Sequence, residues 1–201
     1  MKNNIKILEL MSARMFHDLA GPVGAVNNSL EFFEEENESI RAKALEIVKS
    51  SSNEAILRLK YFRQAYGPIN EDEVALNEML PVIQEFIEKG RLELKCPTDA
   101  NIIVTGSIAK IILNFVVIAM GAMIYGGVLE IIPNGTGVKI KFIGKDLILN
   151  DETTALLSGD MNHISLSSAN IQVYYLHMII SNAKHNLTIN KAANEVEFII
   201  K

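Results

Sequence analysis

Cys96 is the only cysteine in the chain. That excludes an intrachain disulfide framework and any zinc site built from several thiolates. Glycine and proline are sparse, at 12 and 5 of 201 residues, which excludes collagen-like and proline-rich linker architectures. There is no basic excess, since the formal net charge is −5. A duplex-coating protein shows a basic footprint, so nucleic acid is not an expected partner. The GxSxG, Walker A and HExxH motifs are also missing. An apolar fraction of 49% and a charged fraction of 21% are those of a globular chain, which excludes wholesale disorder.

One apolar run is long enough to span a bilayer: Ile111 to Leu129 carries no charged residue. Asn114, Gly121 and the Gly126-Gly127 pair interrupt it. The glycine pair reads as the end of a helix before a strand at Val128–Ile132, so the run is read as a buried core helix. A membrane-anchored protein is the rival reading. Near the N-terminus, Glu9 and Arg14 break any signal-peptide core. The expectation is a reduced, cytoplasmic protein without membrane contact.

Residues 5–66 show no strand signal. Leu8, Met15, Leu19, Val26 and Phe33 are spaced as the seam of a packed helix. Ala44, Ile47, Val48, Ala55, Leu59 and Phe62 form a second helical run. Between them lies an acidic break, Glu34 to Ser39, in which Asn37 and Ser39 can cap the next helix. This is a helical hairpin whose apolar residues exceed one seam. Pairing of two hairpins into a dimeric four-helix bundle would bury them.

Gly67-Pro68 ends the second helix, and the pattern then becomes mixed. Asn77–Lys89 reads as a helix stopped by Gly90, and Leu92–Cys96 and Ile102–Val104 read as short strands. Ser107 is the expected cap of the long apolar helix, which runs to about Tyr125. Val128–Ile132 and Val138–Ile143 alternate as strands around the Asn134-Gly135 hairpin signal. Leu147–Leu149 suggests a short strand. Thr153–Leu157 and Ala169–Lys184 read as helices, and Leu187–Ile189 and Val196–Ile200 as closing strands. The fold class is therefore α+β: an N-terminal hairpin domain over residues 1–67, then an α/β sandwich over 68–201 with one mixed sheet and helices on one face.

The chain has four histidines: His17, His163, His177 and His185. None is paired with a carboxylate or cysteine at metal-ligand spacing, so no metal site is expected. Tyr174 and Tyr175 read as packing residues. His17 differs in its setting. It lies two residues from Met15 and from Leu19, on the opposite side of the helix, and so faces water. Its own stripe carries Arg14, Gly21, Gly24 and Asn28. Two mid-helix glycines cost about 1 kcal/mol each against alanine. Pro22 costs more and leaves the Asp18 carbonyl without its helical donor. The residues alone leave two readings open. One is a surface histidine on a helix bent for packing; the other is a bare stripe that lets a second protein approach His17.

The string His17-Asp18-Leu19-Ala20-Gly21-Pro22-Val23 resembles the H-box of sensor histidine kinases, in which a histidine, an acidic neighbour and a proline five residues on recur. Ala20 and Gly21 depart from the usual Arg and Thr/Asn. The longer segment Ala13 to Phe33, with Phe62 to Gly67 closing the second helix, resembles the ChpT-type family of alphaproteobacterial histidine phosphotransferases. These join a dimerising helical hairpin to a degenerate kinase-type ATP-binding (Bergerat) domain. The resemblance is one of layout over the whole chain and of residues over 13–33. The apolar helix is similar to the one bearing the kinase N-box. Asn114 takes the place of its first Asn, and Ile118 that of the metal-binding Asn. No Asp-x-Gly-x-Gly box follows Val138–Ile143. Ser168-Ala169-Asn170-Ile171 stands where a Gly-x-Gly-Leu turn would cradle phosphate.

The resemblance implies a dimeric phosphotransferase of a multi-step phosphorelay, without ATPase or autokinase activity. His17 would accept a phosphoryl group from a receiver-domain aspartyl phosphate and pass it to response regulators. Asp18 would hold the second ring nitrogen. Arg14, Gly21, Gly24, Asn28 and Arg63 would face the docked receiver. The chain would bind no cofactor, and Mg²⁺ would belong to the receiver. The implied donor is the receiver domain of a CckA-type hybrid kinase, and the implied acceptors are CtrA-type regulators. Two further rivals are a non-catalytic dimeric adaptor and an ATP-dependent histidine kinase.

Overall fold

In a computed structural model, described for residues 2–69, 72–88, 91–97 and 102–201, α1 runs unbroken from Lys2 to Leu30 with Pro22 inside it. A 3-10 turn, Glu31–Glu34, and an extended Glu35 end it. Phe33 therefore falls in that turn and not on the α1 seam where the heptad spacing put it. The Asn37 side chain then accepts from the Ser39 amide at 2.9 Å and opens α2, Glu38–Tyr66. Glu38 in its first turn and Arg63 in its last suit the helix dipole. Glu54 and Arg58 pair one turn apart at 2.8 Å.

The chain divides into two compact units, Met1–Arg63 and Gln64–Lys201. In the first, Met11, Pro22, Ser29 and Ala44 are buried. Leu8, Phe16, Val23 and Leu30 on α1, and Leu45, Ile56 and Leu59 on α2, remain exposed.

The second unit holds β1 (Glu73–Ala75), α3 (Leu76–Ile87), β2 (Leu92–Lys95), β3 (Ile103–Thr105) and α4 (Gly106–Ala122). Then follow β4 (Gly127–Asn134), β5 (Gly137–Ile143), α5 (Asp151–Leu157), α6 (Ile171–Asn182), β6 (Leu187–Ala192) and β7 (Glu195–Ile200). The strands form two sheets where one was expected. Five lie in the order β2-β4-β5-β7-β6, with β2 parallel to β4 and the other pairs antiparallel. Among the described residues, the short β1 and β3 pair only with each other.

Strand alternation sorts the main sheet into two faces. Leu129, Ile131, Val138, Ile140, Phe142, Val196, Phe198 and Ile200 point inward and are buried. Phe115 of α4 packs on Phe198 at 4.7 Å and on Phe142 at 6.3 Å, ring centre to ring centre, which places α4 over that face. The other face carries Lys139, Lys141, Glu195 and Glu197, joined by ion pairs. At the β4–β5 hairpin, Asn134 pairs with Gly137, and Gly135 takes the positive φ (63°) the tight turn demands.

Three local expectations are corrected. Thr105, not Ser107, caps α4: its hydroxyl accepts from the Ile108 amide at 3.3 Å, because β3 runs straight into the helix. The helix ends at Ala122, short of Tyr125. Leu147–Leu149 is not a strand, since the Ile148 amide instead donates to the Ala122 carbonyl at 2.8 Å and satisfies the end of α4. The expected helix end at Lys89 and stop at Gly90 lie outside the described residues. Among the described residues, no helix is long and apolar enough to cross a membrane.

Candidate functional site

His17 stands on the fifth turn of a 29-residue helix, well away from fraying ends. Its side chain is 86% exposed, while Met15 and Leu19 are half-buried and Met11 and Pro22 buried. At 3.6 residues per turn, Arg14 and Asp18 fall on one side of the His17 stripe, and Phe16 and Val23 on the other. The imidazole thus sits between a charged flank and an exposed apolar flank. The apolar flank was not singled out in the sequence. Its signal was Phe16 and Val23 seven residues apart and off the Leu8–Met15–Leu19 seam.

On the charged flank, Arg14 Nε donates to Asp18 Oδ2 at 3.2 Å. The other oxygen, Asp18 Oδ1, lies 3.4 Å from His17 Nδ1. Side-chain exposure is 27% for Arg14 and 18% for Asp18, so this pair is shielded while the ring projects. A carboxylate is an acceptor only, so Nδ1 is the donor in this contact. In the neutral ring that makes this contact, Nε2 is the nitrogen with a free lone pair, the form needed for nucleophilic attack.

Beyond His17, Gly21 and Asn28 are exposed and Gly24 half-buried. A Cβ built at Gly21 or Gly24 meets nothing within 4 Å, so neither glycine is demanded by packing within this chain. The stripe is bare backbone. Arg63 is exposed in the last turn of α2. Hydrogen bonds bring together Arg14, Asp18 and His17, and Gly21, Gly24 and Asn28 follow along the same helix face.

The second unit places the N-box-like residues in its interior. Asn114 is fully buried. Its Nδ2 donates to the Ala65 carbonyl at 3.0 Å and to the Lys110 carbonyl at 2.8 Å, and its Oδ1 accepts from Gln172 Nε2 at 2.8 Å. Gln172 Oε1 accepts from the Tyr66 hydroxyl at 2.6 Å. Lys110 Nζ donates to the Gly67 carbonyl and lies 5.8 Å from the Tyr175 ring centre. Burial pushes the Lys110 ammonium below its ordinary pKa. Sequence reasoning did not single out Gln172, Tyr66 or Lys110. A glutamine in the first turn of an apolar helix was the available signal. Ile118, in the metal-Asn position, is buried and offers no ligand atom. Before α6, Asn170 closes its own turn, accepting from the Ser167 amide at 2.9 Å and donating to Glu152 at 2.6 Å.

The remaining candidates are structural. His177 Nδ1 contacts the Leu157 carbonyl at 3.0 Å, seated against Gly159, where a Cβ would stand 2.6 Å from the ring. His185 lies 3.4 Å from the Ser107 hydroxyl. Among the described residues, no three histidine, cysteine or acidic side chains are grouped to hold a metal ion. Burial raises the Cys96 thiol to about 11, so it is no nucleophile at neutral pH.

Comparison with known proteins adds four findings. Residues 76–195 match the family described as histidine phosphotransferase C-terminal domain. The protein phosphotransferase ChpT of Brucella abortus (strain 2308) is 28% identical over 195 residues, spanning 94% of this chain and 92% of its own. A solved structure of a bacterial phosphotransferase superposes with a TM-score of 0.83 at 24% identity, covering 98% of this chain and 96% of that one. A histidine kinase, ThkA, solved in complex with the response regulator protein TrrA, gives 0.51 at 18% identity, covering 99% of this chain and 62% of that one. The two structural likenesses concern the fold: a helical hairpin followed by a kinase-type α/β sandwich.

Proposed function

The chain belongs to the histidine phosphotransferase family, and on that premise we propose that His17 is the residue that carries the phosphoryl group between receiver domains of a phosphorelay. The observation behind this reading is the ring itself: 86% exposed, with Nδ1 at 3.4 Å from a carboxylate and Nε2 open to solvent.

The Nε2 lone pair forms the N–P bond as the P–O bond to the receiver's aspartate breaks, and the electron pair leaves with that carboxylate. The proton stays on Nδ1. The ring is cationic until transfer onward, and Asp18 Oδ1 lies where it offsets that charge. Reversal of the same steps delivers the phosphoryl group to an acceptor aspartate. Mg²⁺ is a property of the receiver in this scheme, and the chain contributes position and a nucleophile. The bare stripe of Gly21, Gly24 and Asn28 admits the receiver's backbone, with Phe16 and Val23 beside it and Arg63 as a docking charge. By resemblance the donor would be a CckA-type hybrid kinase and the acceptors CtrA-type regulators, and such a relay would operate in the cytoplasm. Incubation with a phosphorylated receiver, followed by acid-labile phosphate mapping, tests the carrier. Phosphate uptake unchanged in His17→Ala overturns it.

Neither ATP hydrolysis nor autophosphorylation belongs to this function. Every polar side-chain atom of Asn114 is already paired within the protein, and Ile118 offers no metal ligand. Calorimetric titration with Mg-ATP should give no heat, and micromolar affinity would restore the kinase reading. The functional form is a homodimer. The exposed apolar rows on α1 and α2 are more than a monomer leaves in water, and a second hairpin covers them. Sedimentation of the full chain as a monomer at micromolar concentration would refute this.

A further inference from the structure

Arg14 is linked to the histidine through Asp18. Asp18 is one residue from His17, about 100° around the helix, so its carboxylate must lean sideways to meet the ring. A carboxylate has other rotamers open to it, most of which leave Nδ1 alone. Arg14 is four residues back, on the same face as Asp18. Its Nε takes Oδ2 at 3.2 Å, which turns Oδ1 toward Nδ1 at 3.4 Å. The three side chains form a line: guanidinium, carboxylate, imidazole.

We infer that Arg14 is a positioning residue for phosphotransfer, acting through Asp18 to hold His17 in the Nδ1–H tautomer. This rests on the reading of His17 as the phosphoryl carrier. Without the anchored carboxylate, the solvated ring reverts toward the Nε2–H form, which has no lone pair on the outward nitrogen. Attack from Nε2 then requires a prior proton shift. Orientation of an imidazole through its other nitrogen is a general device, and by analogy with metal-binding histidines, where losing such a partner costs roughly 10- to 100-fold, the effect here should be about 10-fold. Arg14 is suited to it because guanidinium stays charged and offers fixed donors. The alternative role for the same residue is direct contact with the phosphoryl group or the receiver.

The test separates these roles. The full-length protein is labelled with ¹⁵N-histidine, and the His17 ring shifts report the tautomer directly, with no partner present. Wild type should be mainly Nδ1–H. Arg14→Gln should move the population toward Nε2–H and slow transfer from a phosphorylated receiver about 10-fold. Arg14→Lys, which can still pair with Asp18, should recover part of both. In an Asp18→Asn background, Arg14→Gln should cost nothing further. An unchanged tautomer with slowed transfer, or an equal loss in both backgrounds, would overturn the proposal and assign Arg14 to the phosphoryl group or receiver. Unchanged transfer would overturn it outright. Thermal melting of each variant identifies any loss that is merely unfolding, and Arg14→Lys then carries the comparison. Failure of the carrier reading itself shows differently, as phosphate uptake in His17→Ala.

Discussion

The Asn114 side chain donates to the Ala65 carbonyl at 3.0 Å, so a residue in the middle of α4 closes the end of α2. The last carbonyls of a helix have no partner of their own. Here Asn114 takes Ala65, and Lys110, one turn earlier on α4, takes Gly67. Gln172 and Tyr66 complete the chain of hydrogen bonds. The asparagine aligned with a kinase N-box is thus spent on internal structure.

Asn114→Leu should therefore destabilise the protein without any nucleotide being involved. The Ala65 carbonyl and the Gln172 amide both lose a partner in a buried site. At about 1–3 kcal/mol per orphaned group, the loss should be roughly 2–6 kcal/mol. Urea unfolding of wild type and variant measures it. A loss under about 1 kcal/mol would mean that rearranged partners satisfy both groups.

Legibility in the sequence followed the range of the interactions. His17 was readable because its exposure depends on one helix and a seven-residue seam. The hairpin at Asn134-Gly135 was readable because turn chemistry is local. By contrast, β1 is three residues long, Glu73–Ala75, and exists only because β3 lies antiparallel to it. No period can show in three residues. Leu147–Leu149 is a short apolar run such as a buried strand shows, but its backbone is claimed by the open end of α4. The Tyr66–Gln172–Asn114 network links three elements far apart in the chain, which no pattern within one segment reveals. The Arg14–Asp18 pair is different. Its four-residue spacing was legible, yet its consequence for the His17 tautomer needed the carboxylate's two oxygens to be located.

His17→Gln should abolish phosphate uptake and leave stability within about 0.5 kcal/mol, because an exposed side chain with one neighbour holds little of the fold. Circular dichroism melting and transfer from a phosphorylated receiver are measured on the same preparation. A large melting shift would mean that the Asp18 contact is structural, and retained uptake would move the carrier elsewhere.

Acid should act through the outer sheet face. Glu197 accepts from Asn190 at 2.9 Å and pairs with Lys139 at 3.1 Å, and these neighbours hold its carboxyl below the ordinary glutamate pKa. A carboxyl depressed in the folded state stabilises the fold above its unfolded pKa. That stabilisation is lost as pH falls through the lower, folded value. Glu197→Gln should therefore melt below wild type at neutral pH. The gap should stay constant down to about pH 5 and close in stronger acid, as the wild-type carboxyl takes up its proton. A gap independent of pH would assign the effect to packing instead of charge.

Gly24→Leu separates docking from folding. Gly24 lies two turns beyond His17 on the same stripe, and a Cβ there meets no atom of this chain within 4 Å. Leucine is also the better helix former, by about 1 kcal/mol at an interior position. The substitution should leave α1 intact or slightly firmer while raising a branched side chain on the proposed receiver-docking surface. Transfer should fall by an order of magnitude or more through weaker receiver binding, because reacting atoms must come within roughly 3–3.5 Å. Dependence of the rate on receiver concentration distinguishes a raised KM from a damaged nucleophile, and phosphorylation of His17 by a small phosphodonor should be unchanged. Normal transfer from the receiver would place its docking surface elsewhere. A lowered melting temperature would mean that a second copy of the chain packs against this glycine.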